Sequence, residues 1–134
     1  MMSTLERSAA RVPVKVEAPH LRLGRRGEDL AARHLAKLGF VVLSKNWRCR
    51  EGELDVVATD GRTLVVCEVK TRTGPKYGDG AEAVTADKMA RIRRLTSRWL
   101  SAHRVGWCQI RFDVISIVLP ENGDVQLRHI EGAF

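Results

Sequence analysis

The chain has 134 residues, 44% hydrophobic and 29% charged, which is enough for one folded core and too little for two. Its 23 Lys and Arg against 16 Asp and Glu give a formal charge of +7 and a sequence pI near 9.9. That balance favours polyanionic partners, nucleic acid first, over acidic or neutral ones. No apolar run approaches the ~18 to 20 residues that span a bilayer, so no membrane partner is expected. Residues 1–20 lack the apolar centre of a secretory signal. Aromatic residues make up only 5%, without the repeated basic and aromatic interleaving of a single-strand stacking platform. A cytoplasmic protein is therefore expected, with Cys49, Cys67 and Cys108 as reduced thiols. They show neither C-x-x-C spacing nor a neighbouring His arrangement suited to zinc.

Residues 1–22 carry Pro13 and Pro19 without sustained periodicity and read as a loosely packed extension, so that a single domain spans 23–134. Residues 24–38 read as a helix with Leu30, Ala31, Leu35 and Leu38 as its apolar stripe and Gly39 as its stop. Glu28 lies at the edge of that stripe, placed either to reach inward or to stay solvated near the first turn. A strand starts at Phe40 and continues through Trp47 toward Arg50. Residues 54–58 and 63–69 form two further strands around Asp60-Gly61, the dipeptide of a type I′ hairpin turn. The Gly-rich stretch 71–83, with Arg72, Lys76 and Tyr77, is either a loop that closes over a substrate phosphate or a plain connection. Thr85 is a plausible N-cap, with Asp87 in the first turn, for a second helix reaching about His103. Met89, Ile92, Leu95, Trp99 and Leu100 mark its buried side. Arg91, Arg94 and Arg98, flanked by Lys88, form a basic stripe that fits a nucleic-acid backbone or an ordinary solvated face. Alternation over 110–118 and again over 125–130 gives two last strands.

Side chains on one strand face recur every second residue, so Glu53 shares a face with Asp55, and Glu68 with Lys70. With Asp60 and Gly61 as the central pair, Thr59 falls opposite Arg62, Glu53 opposite Glu68, and Asp55 opposite Val66. Asp55 and Glu68 then become diagonal neighbours and three carboxylates converge. Like charges facing each other across a sheet are destabilising, and clustered hard oxygen donors suit Mg²⁺ or Mn²⁺. Lys70 is placed to orient or deprotonate a water, or to steady charge on a phosphoryl oxygen. Beside carboxylates it is expected to stay protonated, which favours charge stabilisation over a general-base role. The plainer reading is a surface hairpin of ordinary ion pairs, such as Glu51 with Lys70, each contributing roughly 0 to 1 kcal/mol. Against it, Leu64, Val65, Val66, Cys67 and Val69 make the nearly continuous apolar run of a central strand, where charge is costly.

An acidic residue on a first helix, then Asp, then Glu-x-Lys on adjacent strands, then a crossing helix resembles the PD-(D/E)XK superfamily. The words Leu23-Gly24-Arg25-Arg26-Gly27-Glu28, Asn46-Trp47-Arg48-Cys49-Arg50, Gly52-Glu53-Leu54-Asp55, Glu68-Val69-Lys70-Thr71-Arg72, Arg111-Phe112-Asp113-Val114 and His129-Ile130-Glu131-Gly132-Ala133-Phe134 resemble the bacterial YraN-like family within it. That resemblance implies a restriction-endonuclease-like α/β fold. Its α-β-β-β-α-β core would hold a mixed central sheet flanked by helices, with a short C-terminal strand added. It also implies Asp55 and Glu68 as ligands of Mg²⁺ or Mn²⁺, Lys70 as the catalytic lysine, and Glu28 as the additional helix carboxylate of junction-resolving relatives. Glu53 belongs to the same word and is a further candidate ligand, while Leu54 stands where the superfamily name has proline. Arg25, Arg26, Arg72, Lys76, Lys88, Arg91, Arg94 and Arg98 are the candidate nucleic-acid contacts. The implied activity is metal-dependent phosphodiester hydrolysis of DNA, including branched or damaged structures. A non-catalytic nucleic-acid-binding or assembly module and an RNA-cleaving enzyme stand as alternatives. Junction resolution requires two sites on opposed strands, and for that substrate a homodimer is expected.

Overall fold

Pro19 at the start of a helix has its φ preset and lacks only an N–H that would go unused there. Helix α1 accordingly runs Pro19–Lys37 in the computed structural model, which describes residues 18–74 and 84–134. It begins before the 24–38 expected from the apolar stripe. Ala31 and Leu35 are fully buried, but Leu38 is 52% exposed, contrary to its expected place in the stripe. The helix stops at Lys37, so Leu38 becomes the C-cap and turns away from the core. Gly39 takes φ +96°, and the Gly39 and Phe40 amides donate to the Ala36 and Leu35 carbonyls at 3.0 Å each, closing the helix end.

Strands β1 (Val41–Cys49), β2 (Gly52–Thr59) and β3 (Thr63–Arg72) form an antiparallel meander. Helix α2 (Ala86–Ala102) then crosses back and delivers β4 (Gln109–Val118) parallel to β3, and β5 (Gln126–Ile130) returns antiparallel. A parallel pair needs such a crossover. The sheet is mixed and five-stranded, in the order β1-β2-β3-β4-β5. Thr85 caps α2 as expected, its hydroxyl accepting from the Lys88 amide at 3.2 Å. This is the expected α-β-β-β-α-β core with a mixed central sheet, with a short C-terminal strand added.

Alternation along the central strands divides the core in two. Val56, Ala58, Val65, Cys67, Ile115 and Ile117 pack under α1, whereas Val57, Leu64 and Val66 pack with Ile92, Leu95 and Trp99 of α2. Burial on both faces accounts for the continuous apolar run in β3. The cysteines are free, with Cys67 buried. Among the described residues, no helix is long and apolar enough to cross a membrane.

The β2–β3 turn differs from expectation. Thr59 pairs with Leu64, not Arg62, and Val57 pairs with Val66, where Asp55 was expected. Asp60 Oδ1 accepts from the Arg62 and Thr63 amides at 2.8 Å each. A type I′ turn needs positive φ at both central residues, but of this pair only Gly61 has it, at +95°. The aspartate side chain takes over the role of a turn carbonyl, and the loop lengthens to residues 60–63. The register moves by two residues, which preserves the face of every side chain.

At the other end of the sheet the chain terminus is tied down. Asp113, fully buried, accepts two bonds from the Arg111 guanidinium at 2.9 Å each, one from the Gly132 amide at 3.0 Å, and contacts His129 Nε2 at 2.7 Å. His129 Nδ1 in turn lies 2.9 Å from His34 Nε2 on α1. Phe134 stacks on Phe112 with ring centroids 5.1 Å apart.

Candidate metal centre

The β2–β3 pairing ends at Val56 and Cys67, and Asp55 and Glu68 are the next residue on each strand. Both side chains line a cleft of about 260 Å³ on the α2 side, shared with Gly52, Glu53, Lys88 and Arg91. Asp55 Oδ2 accepts from the Val69 amide at 2.8 Å, which fixes its orientation. Burial raises the Asp55 carboxyl to about 8, and the adjacent Glu68 charge adds to the rise, outweighing the Val69 amide. The raised Asp55 carboxyl beside a second acid is the behaviour expected of two carboxylates sharing one site.

Lys70 follows Glu68 on the same strand, with Nζ 3.3 Å from Glu68 Oε1; the two side chains are only 16% and 12% exposed. This burial removes the reading of an ordinary surface hairpin. Glu51, the partner that reading gave to Lys70, is paired instead with Arg98 at 2.5 Å. Lys88, from the first turn of α2, places its Nζ 2.5 Å from the same Glu68 oxygen. Lys70 was expected to be held protonated by its acidic neighbours. Desolvation and the Lys88 ammonium instead pull it below the usual lysine range, against the opposing pull of Glu68. Burial also works against protonated Lys88, but its contacts with Glu68 and Lys70 more than offset this and leave it raised.

Glu28 approaches from α1 because Gly27, the residue before it, touches β3. A Cβ built at Gly27 would lie 1.9 Å from Thr71 Oγ1. Burial raises the Glu28 carboxyl, Asn46 lowers it, and Glu53 and Asp29 raise it further. Glu28 Oε2 is buried with no hydrogen-bond partner among the described residues. It lines a second groove of about 750 Å³ between α1 and β1, together with Arg25, Lys45, Asn46, Arg48 and Glu53.

Glu53 does not lie directly opposite Glu68 as expected, although both line the α2-side cleft. Glu53 pairs across β1–β2 with Arg48 at 3.0 Å, because the shifted hairpin register removes Glu68 from opposite it. Among the described residues, no three His, Cys, Asp or Glu side chains are grouped tightly enough to hold a metal ion. The donors nevertheless suit a hard dication. Asp55 and Glu68 are paired oxygen ligands whose mutual repulsion a cation would relieve, and Glu28 offers an unpartnered buried oxygen nearby.

Of the basic residues, Arg91 lines the acid cleft and Arg94 is exposed on the same helix. Arg98 is held by Glu51 and Lys88 by Glu68. Arg25 borders the α1 groove, Arg26 is exposed, and Arg72 continues β3 beyond Lys70, half-buried. Lys76 and Tyr77 lie outside the described residues. Asn46, beside Glu28 in the α1 groove, received no role from the sequence; a bulge between Val42 and Ser44 and a φ of +52° at Asn46 break the strand alternation from which its place could be read.

Fold and cleft together define the class, an α/β protein of α-β-β-β-α-β order with an acid pair and two lysines on the inner strands and crossing helix. The chain belongs to the Uncharacterised protein family UPF0102, whose model matches residues 27–117. Its relatives include a UPF0102 protein of Frankia casuarinae, 58% identical over 84% of this chain and 95% of that one. Another, from Parafrankia sp., is 56% identical over 84% and 96% of the two chains, and one from Acidothermus cellulolyticus is 48% identical over 84% and 92%. Among solved structures, the chain is similar to Archaeoglobus fulgidus Hjc, described as a Holliday junction resolvase from an archaeal hyperthermophile. That likeness has 16% identity and a TM-score of 0.40 over 78% of this chain and 74% of that one.

Proposed function

We propose that this protein is a Mg²⁺- or Mn²⁺-dependent phosphodiesterase acting on DNA, with branched or damaged structures as its substrates. The observation that carries the reading is the pair of acids Asp55 and Glu68 lining one cleft, with two lysines at its edge. A module that only binds a polyanion gains nothing from carboxylates in the groove. Asp55 and Glu68 would hold the dication, with Glu28 contributing from α1. When bound, the ion supplies a polarised water and a counter-charge for the phosphoryl group. Lys70 Nζ orients the attacking water and steadies charge on the phosphoryl oxygen. Arg91 and Arg94 contact backbone phosphates. Cutting opposed strands of a junction requires two such sites, hence a homodimer, and the cytoplasm gives access to DNA.

The test is a panel of linear, flapped and four-way DNAs incubated with Mg²⁺ or Mn²⁺, with Asp55→Ala and Lys70→Ala as controls. Cleavage by the wild type that both variants lose is the expected result. Full activity in either variant overturns the assignment. Binding that persists in EDTA, tightens when Asp55 and Glu68 are neutralised, and never yields cleavage identifies a binding module instead. Ribose versions of the same strands distinguish RNA cleavage.

A further inference from the structure

Two ammonium groups converge on one carboxylate oxygen, Lys88 Nζ at 2.5 Å and Lys70 Nζ at 3.3 Å from Glu68 Oε1. A dication drawn to Glu68 would add a third centre of positive charge within a few ångströms. Close charges in a site shielded from water repel strongly, so one ammonium must leave. Lys70 is fixed by its strand and is the less exposed, at 16% against 24% for Lys88. Lys88 is on the first turn of α2, where the helix dipole disfavours a cation, and its closest compensating contact is with Glu68. It also shares its cleft with Arg91, on the side where the basic face of α2 would meet a phosphate backbone.

We infer that Lys88 is an internal counter-ion for Glu68 that competes with the metal and transfers to a substrate phosphate when the metal binds. This inference rests on the metal-site reading above and deepens it. Lys88 is here a positioning residue. It neutralises Glu68 in the absence of metal, and its release couples metal binding to nucleic-acid binding. Such coupling is reciprocal, since whatever draws Lys88 away favours the metal and the metal frees Lys88 for phosphate.

The test measures Mn²⁺ affinity of the full chain from the free-ion signal in electron paramagnetic resonance, without nucleic acid. Lys88→Met should bind Mn²⁺ roughly tenfold more tightly than wild type, within the usual range of coupling between sites. A lysine that merely supports the fold would give weaker binding on removal, the opposite direction. Arg94→Met, with the same loss of formal charge from an exposed position on the same helix, should change the affinity much less. Lys88→Gln replaces the Met variant if the latter does not fold. In the wild-type protein, acylation of Lys88 by a water-soluble amine reagent, read by peptide mass spectrometry against Lys37, should rise severalfold at saturating Mn²⁺. If wild type binds Mn²⁺, Asp55→Asn abolishes it, and Lys88→Met binds no more tightly than wild type, the counter-ion role is overturned and the metal site stands. If neither wild type nor Lys88→Met binds Mn²⁺, the metal-site reading itself fails.

Discussion

Asp55 and Asp113 lie on inner strands of one sheet, on opposite faces, and meet opposite electrostatic fates. Asp113 has no exposed surface, and burial alone would raise its carboxyl. The Arg111 guanidinium, the Gly132 amide and His129 outweigh that effect and hold it below the usual carboxylate range. Asp55 receives one backbone amide and faces another acid, and its carboxyl is raised. Burial raises both, and only Asp113 has the partners that reverse it. The satisfied aspartate ties β4, β5 and the chain terminus together. The raised one sits beside a second acid with no cation on its own side chain, which is the condition expected of a ligand site.

Exchanging each aspartate in turn breaks the comparison most sharply. Asp55→Asn is expected to reduce metal-dependent cleavage by about a thousandfold or more while leaving the circular dichroism spectrum native. Asp113→Ala should instead lower the unfolding free energy in urea by about 3 to 5 kcal/mol, because Arg111 and His129 lose their buried counter-charge. The pH dependence of stability separates the two further. The folded Asp55 carboxyl is raised from a free value of roughly 3.9 to about 8. Its contribution to stability is therefore complete below the free value and is lost as pH rises through the folded one. Thermal melts should show Asp55→Asn gaining on wild type between about pH 5 and pH 8, by about 1 to 3 kcal/mol. Asp113 has the reverse sign. Its contribution is present above the free value and is lost as pH falls through its lowered folded value, so Asp113→Ala should flatten the acid limb of the curve. The smallest effect concerns the basic face. Arg91→Gln and Arg94→Gln should each lower the slope of log affinity against log salt for duplex DNA by about 1, with little change in stability.

How much of this was legible in the sequence follows from the length scale of each interaction. Thr85, the stripe from Ile92 to Trp99, and the alternation in β4 are local patterns, and each produced its element. The face shared by Asp55 and Glu68 was legible because strand parity survives a register change of two. The register itself was not, since it depends on whether the Asp60 side chain or the backbone closes the turn. Glu53 was misplaced for the same reason, and its true partner, Arg48, lies on a strand whose pairing the hairpin pattern does not specify. The Lys88–Glu68 contact joins a helix start to a strand through the tertiary fold, and no spacing announces it. The words around Asp113 and His129 were visible separately, but only the pairing of β4 with β5 shows that they form one network.

A last consequence concerns the missing side chain at Gly27. Its backbone rests on Thr71, the residue after Lys70, with no room for even a methyl group unless the threonine or the helix gives way. The distance between α1 and β3 is thus set at its minimum by an absence, and Glu28, one residue on, inherits that closeness. Gly27→Ala should therefore act like a wedge beneath a lever. The helix would lift, and the third acid would be carried out of range while Asp55 and Glu68 stayed where the hairpin holds them.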